Sequence, residues 1–281
     1  AGIAYTSKTI LQYAVILLGF GLNLSEIAKV GIQSLPIILS TITTSLVVSF
    51  LLHRLLHIPS NISTLVGVGS SVCGGSAIAA TAPVIGADDE EIAQSISVIF
   101  LFNVIAALIF PTLGGALGLS NEGFGLFAGT AVNDTSSVTA AASAWDGMHP
   151  GANTLDTAAI VKMTRTLAII PITLVLALLR TRREGKQGGA QVNIKKIFPW
   201  FILGFLAMSI VASILPIPAQ LVSGTKTASK FLMVCALATI GLNTSFASMK
   251  KAGIRPMIHG FIISALVVIV ALLVEMGMGI V

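Results

Sequence analysis

The chain has 281 residues, of which 55% are hydrophobic and 10% charged, with a net charge of +5 and a mean hydropathy of +0.96. A soluble domain carries about 25% charged residues, so this composition excludes an ordinary soluble globule and predicts a polytopic membrane protein. The positive balance does not point to nucleic acid, because the basic residues collect in short loops, as in proteins oriented by their cytoplasmic charge.

At about 20 residues per crossing, nine apolar segments are expected, at about 8–24, 33–56, 62–86, 91–117, 122–145, 155–180, 197–215, 228–246 and 256–280. They predict one all-α transmembrane domain over 1–281. No basic, apolar, small-residue order marks a signal peptide at the start. The chain opens on Ala1 rather than Met, and a processed or truncated start is expected. Cys73 and Cys235 both lie in apolar segments, so a disulfide framework is not expected.

The third segment departs most from a lipid-facing helix. It reads Gly67-Val-Gly-Ser-Ser-Val-Cys-Gly-Gly-Ser-Ala-Ile-Ala-Ala-Thr-Ala-Pro83, full of small residues and hydroxyls. Glycine and proline loosen a helix, and loosened backbone at membrane depth survives only inside protein or around a cavity. A broken helix over 62–86 is expected, with freed amides that favour an anion. Close packing by small residues is the plainer alternative. The fifth segment echoes it with Gly129-Thr-Ala-Val-Asn-Asp-Thr-Ser-Ser-Val-Thr-Ala140, and a second break is expected within 122–145. A further echo pairs Gly21-Leu-Asn-Leu-Ser, Lys29-Val-Gly31 and Pro36 with Gly241-Leu-Asn-Thr-Ser, Lys251-Ala-Gly253 and Pro256. It predicts two related hairpins, 8–56 and 228–280, of opposite orientation, as in alternating-access transporters.

Orientation follows from Arg180, Arg182, Arg183, Lys186, Lys195 and Lys196, which place the 180–196 loop in the cytoplasm. If every segment crosses once, the C-terminus lies outside. Asp88, Asp89, Glu90 and Glu91 also fall outside, whereas Arg54 and His57 fall inside. One re-entrant segment would flip everything upstream of it.

Asp134 is the acid nearest the middle of a span, beside Asn133. An ionisable group there is functional by default, and a proton- or cation-coupling role or a substrate contact is expected. A helix N-cap is the compatible alternative. Lys162 and Arg165 lie one turn apart on one face, as anion ligands, as counter-charges to Asp134, or as snorkelling cations. Asn103, Asn23 and Asn243 are polar candidates facing the bundle, and Glu275 and His259 are expected near the interfaces. No dinucleotide fingerprint, phosphate loop, His-Glu-x-x-His or Gly-x-Ser-x-Gly occurs, so an enzyme and a bound cofactor are not expected.

The stretches Ser70–Pro83 and Gly129–Ala140, with Gly19-Phe-Gly-Leu-Asn and Gly241-Leu-Asn-Thr-Ser, resemble the bacterial UPF0324 family, whose alternative name assigns it sulfate export. Some members carry His-Glu at Asn133-Asp134, and members usually have about two further spans before the first segment read here. More distantly, the order of Gly-Leu-Asn-Leu, hairpin and Gly-rich break looks like the bile acid:sodium symporter group, which implies a panel-and-core fold with crossing broken helices. Together these imply a secondary transporter of a small anion, sulfate or an organosulfonate, in a bacterial inner membrane. Ser70, Ser71, Cys73, Gly74, Gly75 and Ser76 would face Asn133, Asp134, Thr135, Ser136 and Ser137 across the solute. Lys162, Arg165 and Asn103 are coupling or charge-pair candidates, with Na+ or H+ as the ion. A sodium-coupled organic anion symporter and a passive channel are the alternatives. The expected partners are the solute and the lipid bilayer, with a homo-oligomer left open.

Overall fold

In the computed structural model, the described residues are 9–20, 24–184, 200–215, 217–243 and 253–280, and among them the regular structure is helical. In chain order the helices are α1 (Leu11–Gly19), α2 (Leu24–Leu56), α3 (Ser60–Ser71), α4 (Gly75–Ile85), α5 (Asp89–Ala116) and α6 (Asn121–Ala131). They continue as α7 (Thr135–Met148), α8 (Thr154–Thr166), α9 (Ile169–Glu184), α10 (Trp200–Ile214), α11 (Ala219–Asn243) and α12 (Ile254–Gly277). Among the described residues, four continuous stretches are long and apolar enough to cross a bilayer, namely α2, α5, the α8–α9 run from Thr154 to Arg180, and α12. Leu39, Leu108, Phe261 and Leu273 stand exposed on their outer faces, as lipid contact requires.

Both expected breaks are present. The backbone of Val72 leaves the helical region, and Gly74 takes φ +67°, a conformation that a side chain disfavours. In the second break, Val132 and Asp134 are extended.

Neither broken segment crosses. At the start of α3, Asn61 Nδ2 donates to Glu91 Oε2 over 2.8 Å, and Glu91 begins the helix that follows α4. Residues 60–86 therefore go in and come back as a hairpin. Likewise Trp145 Nε1, near the end of α7, donates to Asn121 Oδ1 at the start of α6 over 2.9 Å. Trp145 also stacks on Phe124, with centroids 4.1 Å apart. The expectation that each segment crosses once fails at these two hairpins, because a broken helix can satisfy its backbone without reaching the far side.

Helix α5 sets how the hairpins face. Its N-terminus carries a capping box between Asp88 and Glu91 at the mouth of the α3–α4 hairpin. At its other end a Cβ on Gly114 would press on Phe124 and Trp145, at the mouth of the α6–α7 hairpin. The hairpins thus enter from opposite ends of a rod about 42 Å long, at 1.5 Å per residue. They are not the crossing helices that the symporter likeness implied. The α8–α9 run lies along both: Gly125 and Gly129 of α6 abut Thr157 and Val161, and Arg180 Nη1 donates to Val84 O of α4 over 3.1 Å. Arg180 and the acidic turn 88–91 therefore lie at the same end, which overturns the expectation that the turn faces away from the basic loop.

Helices α2 and α12 run antiparallel. Gln33 bonds Glu122 at one end, and Ser49 and His259 both reach Ser63 at the other. Buried Ser45 and Ser49 donate to Gly67 O and Ser63 O over 2.8 and 2.6 Å, drawing α3 tightly onto α2. Residues 21–23, 244–245 and 251–252 of the Gly-Leu-Asn echo lie outside the described residues. Helix α1 packs with α10 and α11, where Ser229 Oγ donates to Ala14 O over 2.6 Å.

This topology is checked by impermeant maleimide labelling of single cysteines in a cysteine-free background. Cysteines at His57 and Glu90 should label from the same side of the membrane, and a cysteine at Leu117 or Asn121 from the opposite side.

Candidate functional site

The two hairpin tips bring four helix ends together midway along α5. Two are C-terminal ends, α3 at Ser71 and α6 at Ala131. Each has carbonyls without an intrahelical partner and a negative partial charge. Lys162 and Arg165 of α8 meet both, and both are fully buried. Lys162 Nζ donates to Val72 O over 2.6 Å, to Val132 O over 3.3 Å and to Asn133 O. Arg165 Nε donates to Ser71 O over 2.8 Å, and Nη2 donates to Ser70 O over 2.5 Å. Its Nη1 donates to Thr130 O and Val132 O over 2.5 and 3.2 Å. A longer bond from Nη2 to Asn133 Oδ1, 3.4 Å, completes the set. The three ammonium donors and the guanidinium fork are thus occupied by hairpin oxygens.

The other two ends are N-terminal and differ from each other. At α7, Asp134 Oδ2 accepts from Ser136 N over 3.0 Å and from Ser136 Oγ, so the carboxylate caps its own helix. At α4, no side chain caps Gly74. Gly74 O accepts from Ala77 N and Ile78 N, and no acceptor is found for the amides of Gly75 and Ser76 among the described residues. Gly75 is half-buried and Ser76 exposed. The tips touch directly: a Cβ on Gly74 would stand 3.4 Å from Asp134 Cβ and 3.5 Å from Asn103 Nδ2.

Residues 1–260 match the family described as conserved hypothetical protein 698. A UPF0324 membrane protein of Streptococcus mutans is 58% identical over 284 residues, covering 99% of this chain and 82% of the relative. The chain belongs to the UPF0324 family. A second UPF0324 membrane protein, from Streptococcus pyogenes serotype M18, is 55% identical over 283 residues, 99% of this chain and 83% of its own. One from Fusobacterium nucleatum is 56% identical over 276 residues, 93% and 79%. No solved structure matches.

Of the residues singled out from the sequence of this UPF0324 protein, Asn103, Lys162, Arg165, those of 70–76 and those of 133–137 converge on the tips, in roles that the sequence did not distinguish. Lys162 and Arg165 are neither paired with Asp134 nor snorkelling; they cap carbonyls. Asp134 has the N-cap role. Ser70 and Ser71 act through their carbonyls, while Ser71 Oγ bonds Val68 O over 2.9 Å and Ser70 Oγ has no partner among the described residues. The Cys73 thiol is buried in an apolar cluster with Val68, Val72, Ala77 and Ile169. Thr135 is half-buried and Ser136 and Ser137 are buried in the first turn of α7. Asn243 is the last residue of α11, and its side chain is not described. Glu275 and His259, expected near the interfaces, are fully buried.

Asn103 does more than the sequence suggested. From α5, its Oδ1 accepts from Asn133 N over 3.1 Å and Asp134 N over 3.3 Å, pinning the second tip. An asparagine in an apolar span is the only trace of this in the sequence. A cavity of about 650 Å³ lies not between the tips but beside the first hairpin, lined by Ser49, His53, Asn61, Thr64, Ile172 and Arg180 among others.

Replacing Arg165 by Leu strands carbonyls of both hairpins. Each costs about 1–3 kcal/mol when buried unpaired, so the melting temperature of the purified protein should fall steeply or the protein should not accumulate. Arg165→Lys should fall between Leu and the parent, because one ammonium lacks the fork that reaches both hairpins.

Proposed function

We propose that this protein is a secondary active transporter of a small anion, not an enzyme, and that the solute binds where the hairpin tips face each other. The charge balance there carries the reading. Two buried cations, one carboxylate and four helix ends whose half charges cancel in pairs leave about one unit of positive charge. An unbalanced charge at membrane depth costs several kcal/mol, and an anion at the tips removes that cost. The backbone amides of Gly75 and Ser76 are suitable donors for it.

Two hairpins entering from opposite ends support alternating access, since either could open its own side of a fixed central site. Sulfate and organosulfonates are the candidate solutes, in line with the function that the family's alternative name assigns. Asp134 is the candidate coupling group for H+ or Na+, because it is half-buried at the tips and offers a carboxylate oxygen beyond the one that caps α7. A sodium-coupled organic anion symporter fits the same geometry. By the distribution of basic loops, the mouth of the α3–α4 hairpin faces the cytoplasm of a bacterial inner membrane, and the α6–α7 mouth and the C-terminus face outward.

Proteoliposomes should take up radiolabelled sulfate or methanesulfonate saturably, with a rate that responds to an imposed proton or sodium gradient. Asp134→Asn keeps a good N-cap and should preserve the fold while abolishing the gradient response. Non-saturating flux in the parent protein would instead identify a channel. Unchanged gradient dependence in Asp134→Asn would remove Asp134 from coupling.

A further inference from the structure

Three of the four helix ends at the tips are closed by the protein itself: two by Lys162 and Arg165, one by Asp134. The fourth, at α4, is open, and a second observation points at it. Asn103 is 2% exposed, and its Oδ1 is committed to two backbone amides of the opposite tip. Because only the oxygen of a carboxamide accepts, those bonds turn Nδ2 toward Gly74, 3.5 Å from where a Cβ would stand. Among the described residues Nδ2 donates to nothing.

We infer that the anion seat is the α4 N-terminus together with the Asn103 carboxamide. The seat takes an oxyanion with at least two oxygens: a sulfate, sulfonate or carboxylate. One oxygen accepts from the amides of Gly75 and Ser76, and the other accepts from Asn103 Nδ2. The inference rests on the anion-transport reading and assigns its solute to one of the two N-terminal poles. Asp134 occupies the other pole, so it faces the solute without ligating it. Asn103 therefore has two faces. Its oxygen holds one hairpin and its nitrogen reads the solute, so binding at one tip is felt at the other.

The test separates those faces. Asn103→Asp retains an oxygen for the amides of Asn133 and Asp134 and replaces the donor by a second acceptor. Gly75→Leu is independent of it. A Cβ on Gly75 meets nothing within 4 Å, and Cβ atoms lean toward a helix N-terminus, so the added side chain projects over the pole. Purified protein in detergent is titrated with sulfate, methanesulfonate, acetate and chloride at matched ionic strength, followed by thermal shift and by equilibrium dialysis of radiolabelled sulfate. The parent should bind the oxyanions in preference to chloride. Both variants should bind the oxyanions at least about tenfold more weakly, as expected for losing a hydrogen bond to a charged group. If Asn103→Asp does not fold, Gly75→Leu decides alone. Oxyanion affinity unchanged in a folded variant overturns the seat and leaves the transport reading standing. Chloride binding as tightly as the oxyanions overturns the two-oxygen seat. Absence of binding by the parent overturns both.

Discussion

Helix ends inside a membrane must be capped, and the centre of this protein is arranged by that requirement. Breaking two helices at mid-depth frees carbonyls that in water would be hydrated at no cost. In hydrocarbon each needs a donor. Lys162 and Arg165, one turn apart on α8, supply donors to both hairpins at once. The same bonds hold the hairpins to each other and to α8. A buried pair of like charges is costly in itself, and it is tolerable here because both face the negative ends of helices.

The solution is asymmetric where it could have been symmetric. One N-terminal pole is closed by the adjacent Asp134, whereas the other begins at Gly74 and Gly75, which have no side chain to offer. Two glycines at one tip and Asn133-Asp134 at the other make different ends from otherwise similar hairpins. Rods on either side keep the tips in register. Helix α5 touches the mouth of one hairpin, both tips and then the mouth of the other, and the α8–α9 run does the same. A movement of either hairpin relative to these rods must break bonds at the centre.

Much of this was legible in the chain. Composition identified a membrane protein, and small-residue runs at 67–83 and 129–140 marked both breaks, because few other sequences survive at that depth. The polar residues in apolar spans, Asn103, Asp134, Lys162 and Arg165, all reach the tips. Their roles were not legible. A lysine and an arginine on one helical face look alike whether they bind a solute, pair with an acid or cap carbonyls, since the acceptors are backbone atoms from segments about 30 and 90 residues away. Orientation arguments also misplaced the acidic turn 88–91. Hydropathy measures how apolar a segment is, and a hairpin that turns back is as apolar as a helix that crosses.

By itself, then, the sequence determined the solvent in which this protein folds, the places where its helices come apart and the polar groups kept in the interior. These follow from local chemistry, from apolar length and backbone-loosening residues. The tertiary structure alone decided that the broken segments re-enter from opposite ends, that the two cations serve carbonyls, and that one helix pole of four stays open. Those outcomes depend on which distant carbonyls and amides meet in the dry interior, and no periodicity along the chain encodes that meeting.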